Sequence, residues 1–333
     1  MRPFHLHIPT GIRIPLMQGL ENSIVASQSG WWADPIMEIV QWSQTQFPLQ
    51  RFSVFAAQAL GKRRRFTPAL QLLETAIRSA VERRRFELHD TPAPSGFAKR
   101  EDVSPAHVHE TLKAGVDALG SAGARPFLAY GTLLGWAREN DFIPGDIDID
   151  IGIFADELGA DAIAACLSRA GFTITRRAHP ACPDVIKSRH VKTGIDFDVV
   201  IFIRTPAAFH THWHQWGERV RRVRQPFELR PAEFHGVELF VPDPPEAFLD
   251  QNYGDWRTPS EFYHFLISPE IKTDFTNPLV QLISRQIFLQ ELQNGRRAAV
   301  RVCLADLIRK NPESLLWPWV QSHLRRADPS FSP

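Results

Sequence analysis

The sequence predicts an α/β fold of the α+β kind, in which helices flank a mixed β-sheet and further helices make up both ends of the chain. Three observations lead to this prediction. Between residues 105 and 203, apolar residues at helical spacing alternate with short extended apolar runs. Residues 146–151 alternate strictly between Asp and Ile, which is the period of a strand with two different faces. Towards both ends of the chain the apolar residues recur at helical spacing.

Residues 1–100 are predicted to form a mainly helical N-terminal region. Its apolar spacing favours helices over 35–46, 52–60 and 68–86. Basic clusters at 62–65 and 83–85 flank the last of these helices. They are interpreted as a solvated basic face, or alternatively as a platform for an anionic partner such as a lipid-linked phosphorylated glycan or a membrane surface. The stretch 91–96 is expected to be a linker.

Residues 101–275 are predicted to form the central domain, followed by a helical C-terminal region over 276–333. The central domain is expected to begin with a helix over 105–120, because Ser104 can cap it and Pro105 suits its first turn. The later elements are a strand at 125–130, helices from 133 and over 156–170, and strands over 172–175, 184–190 and 195–203. The C-terminal helices are expected over 278–292, 296–309 and 312–325.

The alternating segment places Asp146, Asp148 and Asp150 on one face of its strand. Carboxylates two residues apart lie about 6.6 Å apart on a strand, so neighbouring ones can reach a divalent cation between them. Like charges this close raise a pKa or destabilise the strand unless a metal or a basic group compensates them. The ordinary alternative is an edge strand with a solvated acidic face.

The residues before this segment suggest a phosphate site. Gly131 and Thr132 follow an extended apolar run and precede apolar residues at helical spacing. The free N–H groups and the positive dipole end of a helix that starts there would suit a phosphate. A strand, a Gly-Thr turn, a helix and then Asp-x-Asp on the next strand resemble the order of elements in the nucleotidyltransferase fold.

These motifs resemble the LicD/fukutin family of that superfamily, which comprises phosphocholine and polyol-phosphate transferases. The matching residues are Gly131, Thr132, Leu133, Leu134, Gly135, Arg138, Ile143, Pro144, Asp146, Asp148, Asp150, Ile151 and Gly152. Gly145 departs from the family pattern, which usually has Trp there. A second block, 241–259, is similar to the closing signature of the family. The resemblance covers about residues 101–265.

The resemblance implies a metal site for Mg²⁺ or Mn²⁺, with Asp148 and Asp150 as ligands and Asp146 in support. The fold of the family supplies a third carboxylate from a neighbouring strand. Asp198 is the favoured residue, because an uninterrupted apolar run follows it, and Asp196 is the alternative. Asp198 would complete the metal coordination or act as general base on an acceptor hydroxyl. An unpaired aspartate buried in so apolar a strand would cost several kcal/mol.

The donor is expected to be bound by a glycine turn and by cations. Gly131 and Thr132 would hold its phosphates, and Arg138, Lys187 and Arg189 would neutralise the diphosphate as the bond to the leaving group breaks. Arg138 belongs to the family motif. Lys187 and Arg189 are assigned to the site because strand parity places them on the face towards it. The alternative interpretation is that both are surface cations on a strand.

Two sets of aromatic side chains complete the candidate site. Tyr253 and Trp256 in the second block would close it, through packing or through substrate contact. His210, His212 and His214 alternate and would suit a zinc site on a strand. Residues 209–217 are, however, predicted to be a loop or the start of a helix. The histidines are therefore interpreted as structural or as part of an acceptor pocket.

Composition bounds the remaining possibilities. The net charge of +1 gives no electrostatic case for binding nucleic acid. The three cysteines are far apart and have no Cys-x-x-Cys spacing, so neither a disulfide framework nor a zinc site is expected. An N-terminal stretch broken by prolines does not resemble a signal peptide, and no apolar run approaches the ~18 residues of a membrane span. A cytoplasmic, possibly membrane-peripheral protein is expected.

The predicted function is metal-dependent transfer of a phosphorylated alcohol, such as phosphocholine, ribitol phosphate or glycerol phosphate. The donor would be the CDP-activated alcohol, and the acceptor a sugar hydroxyl of a glycan or a lipid-linked oligosaccharide. The donor class is implied by the resemblance, whereas the metal and phosphate chemistry is also supported by the residues. The alternatives are a nucleotidyltransferase that attaches a nucleoside monophosphate to another molecule, and a non-catalytic carbohydrate-binding relative.

Overall fold

The computed structural model describes residues 50–83, 86–90, 104–143, 146, 148–259, 262–264, 266 and 274–331. The chain divides into two compact units, one drawn from 1–90 together with 281–333 and the other from 91–280. The N-terminal and C-terminal helical segments therefore belong to one unit. The predicted helix over 35–46 and the predicted linker over 91–96 lie outside the described residues.

The described helices are α1 (Gln50–Lys62), α2 (Phe66–Glu82), α3 (Pro105–Ser121), α4 (Tyr130–Glu139), α5 (Ala160–Arg169), α6 (Pro245–Tyr253), α7 (Pro278–Gln293), α8 (Arg297–Lys310) and α9 (Leu316–Ala327). The described strands are β1 (Phe127–Leu128), β2 (Asp148–Phe154), β3 (Phe172–Arg176), β4 (Val185–His190), β5 (Asp196–Arg204), β6 (Phe209–Gln215), β7 (Glu218–Arg224), β8 (Glu228–Phe234) and β9 (Val237–Asp243). The mixed sheet and its flanking helices confirm the predicted fold class.

The helical unit follows the sequence prediction closely. In α2 the buried residues include Leu72, Leu73 and Ile77, which share one face at helical spacing. The predicted helices over 52–60, 68–86, 278–292, 296–309 and 312–325 are all present, with ends that shift by a few residues. The described part of this unit is helical apart from its connections and one isolated bridge between His89 and Arg296.

The second unit contains a mixed sheet in the order β3-β4-β5-β2-β1-β9-β8. β2 runs parallel to β5, and β1 runs parallel to β9, whereas the other neighbours along this order are antiparallel. The C-terminal end of β5 pairs with β6, and β6 pairs with β7. The order places β2 and β5 side by side in the middle of the sheet, where each strand is paired along both of its edges.

The two faces of β2 and β5 differ in chemistry. One face carries fully buried apolar residues such as Ile151 and Val199, and α3 packs there so closely that a Cβ on Gly115 would lie 2.3 Å from the ring of Phe197. The opposite face carries aspartates where the strands begin. Further along the same face it carries an aromatic cluster of Phe127, Phe154, Phe202, Phe209, Phe227 and Phe248. This face therefore carries carboxylates at the start of β2 and β5 and aromatic side chains further along the strands.

The prediction of a loop or a helix start over 209–217 is wrong. Residues 209–215 form β6, which pairs with β7 through the two-residue turn Trp216-Gly217. Both turn residues have positive φ, 52° and 78°, which matches the type I′ turn of a tight hairpin. His235-Gly236 joins β8 to β9 in the same way, with φ of 50° and 73°.

The elements around the Gly-Thr motif also differ from the prediction. The strand expected over 125–130 is reduced to β1, because α4 already begins at Tyr130. Gly131 and Thr132 therefore lie in the first turn of the helix rather than in a turn before it. Helix α5 begins at Ala160, because residues 156–158 form a turn instead of the expected first turn of the helix.

Candidate metal and phosphate site

The first feature of the site is a group of three carboxylates. Asp148 and Asp150 lie on β2, and β5 places Asp198 directly beside Asp150 in a parallel register. One carboxylate oxygen from each of the three residues lies within 4.8 Å of the others. Among the described residues, this is the one group of His, Cys, Asp or Glu side chains arranged to hold a metal ion.

Gly131 and Thr132 hold Asp150 in place. The backbone N–H of Gly131 donates to Oδ2 of Asp150 at 3.2 Å, and the backbone N–H of Asp150 donates to Oγ1 of Thr132 at 2.8 Å. Thr132 is fully buried. A Cβ on Gly131 would lie 2.6 Å from Oδ2 of Asp146, so a glycine is needed for this close approach. Their expected contact with donor phosphates stays a prediction.

The electrostatics of Asp150 favour a bound cation. Burial raises the pKa of Asp150 well above its ordinary value, and the carboxylates of Asp148, Asp146 and Asp198 raise it further. The hydrogen bond from Gly131 opposes this shift only in part. A divalent cation would reverse the balance, because it favours the ionised form of each carboxylate.

Asp198 is balanced by a lysine on the next strand. Burial raises the pKa of Asp198 to about 6, although Nζ of Lys187 hydrogen-bonds to Oδ2 of Asp198 and opposes the shift. Burial acts to lower the pKa of Lys187, but Asp198, Asp148 and Asp150 together raise it. Lys187 lies opposite Asp198 in the antiparallel pairing of β4 with β5. The side chain of Lys187 is therefore a cation at the edge of the carboxylate group.

Asp196 has a different partner and lies outside this group of three. Its two carboxylate oxygens accept hydrogen bonds from Nε and an Nη of Arg189 at 2.7 and 3.0 Å. Asp196 lies beside Asp148 in the register of β2 with β5, yet its side chain is turned towards the exposed Arg189. Asp198, the favoured third carboxylate, is the one that the structure brings to Asp148 and Asp150.

The remaining predicted substrate residues lie near the end of α4 and at or just after the end of α6. Arg138 donates to Oε1 of Glu139 at 2.8 Å and to the carbonyl oxygen of Trp256 at 3.5 Å. The ring of Trp256 is buried, and its Nε1 donates to Oδ1 of Asp250 at 2.9 Å, which fits a packing role. Burial raises the pKa of Tyr253 well above its ordinary value, and the charge of Asp150 adds to the shift. Tyr253 therefore lies near the carboxylate group.

Sequence reasoning missed a polar cluster at the N-terminus of α4. Arg222 and Arg224, on the inward face of β7, are both buried and surround Tyr130 and Asn252. Tyr130 has a positive φ of 42°, which is uncommon and costly for a non-glycine residue. The Trp216-Gly217 turn that precedes β7 is the signal that could have identified the strand.

The three alternating histidines lie on the opposite face of the same hairpin. His210, His212 and His214 of β6 pair across the hairpin with Val223, Arg221 and Arg219. Burial lowers the pKa of each imidazole, and that of His212 falls to about 4. The ring of His214 stacks on that of His179 at a centroid distance of 4.0 Å. The histidines do not join any metal-ligand group of the described residues.

The donor set of the carboxylate group fits a hard divalent cation. Oxygen ligands from aspartates are the preference of Mg²⁺ and Mn²⁺. Within the described part of the chain, the groups next to these carboxylates include the Lys187 amine and the Gly131 N–H, and no sulfur ligand joins them. Cys166, Cys182 and Cys303 are all free and buried elsewhere. Among the helices that the structure describes, none combines the length and the apolar character that crossing a bilayer requires.

Comparison with known proteins identifies relatives of the sheet-containing unit. Residues 123–243 match the family model described as LicD/FKTN/FKRP, nucleotidyltransferase domain. The human ribitol-5-phosphate transferase FKTN is 26% identical over 169 residues, which are 48% of this chain and 35% of FKTN. The human ribitol 5-phosphate transferase FKRP is 44% identical over 52 residues, or 16% of this chain and 10% of FKRP.

A bacterial relative is similar over a comparable length. An uncharacterized protein of Rickettsia prowazekii (strain Madrid E) is 26% identical over 182 residues, which are 50% of this chain and 64% of that protein. The chain thus spans about a third of the length of FKTN and less than two thirds of the rickettsial protein. The match with the family model covers the strands that carry all the carboxylates of the site.

Proposed function

Because the chain belongs to the LicD/fukutin family, we propose that it is a phosphotransferase that moves a phosphorylated alcohol from a CDP-activated donor to a sugar hydroxyl of a glycan. Ribitol phosphate is the first candidate, since FKTN and FKRP are ribitol-5-phosphate transferases. Glycerol phosphate and phosphocholine are the other candidates. The single observation that carries the proposal is the group of Asp148, Asp150 and Asp198 within a sequence that matches this family.

The proposed site holds Mg²⁺ or Mn²⁺ through these three carboxylates, with Asp146 beside them. When bound, the ion would neutralise charge on the donor diphosphate and orient it for in-line displacement. The support for this assignment is the strong repulsion at Asp150, whose pKa is raised first by burial and then by three neighbouring carboxylates.

The transfer itself exchanges one phosphorus–oxygen bond for another. The acceptor oxygen bonds to the phosphorus that carries the alcohol, while the bond from that phosphorus to the bridging oxygen breaks and CMP leaves with the electron pair. The proton of the acceptor hydroxyl needs a base, and we assign Asp198 as the residue that either accepts it or completes the metal site. Lys187, bound to Asp198, would hold that carboxylate in position.

Around this centre, Gly131 and Thr132 fix Asp150, and their hydrogen bonds support a role in orienting the ligand set. Arg138, from the family motif, and Lys187, from strand parity, are the cations that we assign to the donor phosphates. Arg189 is bound to Asp196 by two hydrogen bonds and is largely exposed, so we assign this pair to the rim of the site.

We extend the proposal to the surroundings in which the protein acts. The acceptor would be a glycan or a lipid-linked oligosaccharide, and the basic cluster at 62–65 would contact an anionic membrane surface. Three free cysteines suit a reducing compartment such as the cytoplasm. Co-sedimentation with vesicles that contain anionic lipid, compared with neutral vesicles, tests the membrane contact; equal binding to both would contradict it.

A donor screen tests the proposed reaction against its nearest alternative. The protein is incubated with CDP-ribitol, CDP-glycerol or CDP-choline and Mg²⁺ or Mn²⁺, and the release of CMP is followed with and without a glycan acceptor. We expect metal-dependent release of CMP from one donor. Transfer of a labelled nucleotide from a nucleoside triphosphate would instead favour nucleotidyl transfer by the same aspartates. Absence of divalent-dependent binding of CDP would favour a non-catalytic relative.

A further inference from the structure

Two arginines that project from β7 into the interior form a second charged centre beside the carboxylates. Arg222 and Arg224 are 8% and 5% exposed. An Nη of each donates to the same oxygen, Oδ1 of Asn252, at 3.2 and 2.8 Å. Two guanidinium groups that meet at one amide oxygen repel each other, and the repulsion is strong where water is excluded.

The charge of Arg224 is met by neutral groups. Its Nη atoms donate to Thr211 Oγ1 at 2.9 Å, to Tyr130 OH at 2.8 Å and to Asn252 Oδ1. Its Nε has no hydrogen-bond partner among the residues that the structure describes. No carboxylate among the described residues forms an ion pair with it. Burial, with a smaller contribution from the charge of Arg222, lowers the pKa of Arg224 to about 10. A buried cation without a counter-ion is costly, so an anion beside Arg224 would stabilise it.

Aromatic rings pack around the guanidinium groups but do not replace that anion. The guanidinium carbon of Arg224 lies 5.1 Å from the ring centre of Tyr130, 5.6 Å from that of Phe202 and 5.4 Å from that of Phe248. Such contacts contribute roughly 0.5–2 kcal/mol each. They fix the orientation of the cation, and they leave its charge uncompensated.

Two adjacent residues, Tyr130 and Gly131, connect the arginine pair to the carboxylate group. Tyr130, which accepts a hydrogen bond from Arg224, precedes Gly131, whose N–H donates to Asp150. The pKa of Tyr253, raised mainly by burial, also responds to the charges of Asp150 and Arg222, so this ring lies near both centres. Tyr130 and Tyr253 are partly exposed, unlike the two arginines, and a ligand would approach the cluster along these rings.

We propose that Arg222 and Arg224 form the anion-binding half of the donor site and take a phosphate of a nucleoside diphosphate whose other phosphate lies at the carboxylate group. This inference rests on the proposed function for the identity of the ligand. It assigns binding of the diphosphate mainly to two buried arginines rather than to Arg189, which is exposed and already paired. Asn252 and Tyr130 act as positioning residues that hold the two guanidinium groups together.

Calorimetric titration with pyrophosphate and with CDP, both in the presence of Mg²⁺, tests the proposal on the full chain. In Arg224→Gln we expect the affinity for both ligands to fall at least tenfold, while binding of Mg²⁺ alone is unchanged. Arg224→Lys keeps a positive charge and should recover part of the affinity. Arg221→Gln is the matched control, because this arginine lies on the same strand with its side chain on the exposed face.

The outcomes separate this inference from the proposed function. Wild-type affinity for pyrophosphate in Arg224→Gln, or no binding of pyrophosphate to the wild-type protein, would overturn the arginine site. Binding of pyrophosphate without binding of CDP would support the arginine site and contradict the CDP-activated donor. If Arg224→Gln does not fold, Arg222→Gln is titrated with the same expectations, because it leaves the hydrogen bonds of Arg224 in place.

Discussion

At the scale of single residues, the site is defined by how Asp150 is held. Its backbone N–H and one carboxylate oxygen are both bound by the first turn of α4, through Thr132 and Gly131. The carboxylate is therefore fixed beside Asp148 and Asp198 even though the three charges repel one another. An arrangement that costs stability and is fixed so firmly is typical of a binding site.

The first prediction concerns Asp150→Asn. The amide keeps an oxygen for the N–H of Gly131 but removes one buried charge from the group. In metal-free buffer at neutral pH, we expect the free energy of unfolding to rise by about 1–3 kcal/mol, the scale of relieving one poorly compensated buried polar group. Urea denaturation measures this change. The rise in Tm that Mg²⁺ or Mn²⁺ produces in the wild type should be absent.

A metal-dependent rise in Tm of the same size in Asp150→Asn would contradict the assignment of Asp150 as a ligand. Asp161→Asn is the matched control, because Asp161 is a fully exposed aspartate on α5. We expect this control to change neither the stability of the metal-free protein nor its response to the metal.

At the scale of elements, the close packing of β1 against β2 positions the carboxylates. Phe127 of β1 lies opposite Gly152 of β2, and a Cβ on Gly152 would be 2.2 Å from the ring of Phe127. The second prediction is that Gly152→Ala lowers the free energy of unfolding by about 1–3 kcal/mol through overpacking. Urea denaturation measures the effect.

Gly120→Ala is the control for this change, because a Cβ on Gly120 meets no atom within 4 Å and the residue lies in α3. Replacing an unhindered helical glycine by alanine should stabilise the protein by about 0.5–1 kcal/mol. If Gly152→Ala were as stable as the wild type, the tight contact between β1 and β2 would be disproved.

The third prediction concerns the histidines of β6 and acid stability. Burial lowers the pKa of His212 to about 4, and Arg219, His214, His210 and Arg221 add to this effect. In the unfolded chain this histidine has an ordinary pKa of about 6.5. Between about pH 4 and 6.5 the unfolded chain therefore binds more protons than the folded protein. Stability should therefore be full above about pH 6.5 and decrease as the pH falls towards 4. Tm measured from pH 7.5 to 4.5 should fall less in His212→Gln.

Equal acid sensitivity in His212→Gln and in the wild type would contradict this account of the hairpin. The matched control is His323→Gln in α9 of the helical unit, a histidine outside the hairpin. Its pH profile should follow that of the wild type.

The fold could be predicted from the sequence where the apolar residues follow one clear period, and not where other residues interrupt that period. The Asp-Ile alternation identified β2 and its face, and apolar spacing identified α2, α3 and the C-terminal helices. Strands β6 to β9 escaped prediction because histidines in β6, arginines in β7 and prolines in β8 and β9 interrupt their apolar residues. The two-residue turns Trp216-Gly217 and His235-Gly236 are the local signals from which the two hairpins could have been predicted.

The site was predictable to the extent that its residues share a strand or a motif. Asp148, Asp150 and Asp198 follow from parity and from the apolar run after Asp198. Arg222 and Arg224 could not be inferred, because a basic residue on an unrecognised strand has no assigned face. The hydrogen-bond partners of Thr132 and Gly131 depend on the residue at which α4 begins. A sequence pattern does not locate the end of a helix to within one or two residues.

At the scale of the whole molecule, the chain combines a sheet-containing unit that carries the chemistry with a helical unit formed from both of its ends. The family match lies within the first of these units. The fourth prediction is that isolated residues 101–280 retain binding of Mg²⁺ and of CDP, because the carboxylates, the arginine pair and their supporting strands all lie within these limits. Loss of both in a fragment that still folds would contradict this division.

The central claim is that Asp148, Asp150 and Asp198 hold a divalent cation that the transfer reaction requires. The most direct measurement is the release of CMP from the preferred CDP-activated donor, followed against the concentration of Mn²⁺ for the wild type, Asp148→Ala and the control Asp161→Ala. We predict saturable, metal-dependent release for the wild type and the control, and a loss of at least a hundredfold for a folded Asp148→Ala. Release by Asp148→Ala at the wild-type rate and with the wild-type metal dependence would contradict the claim.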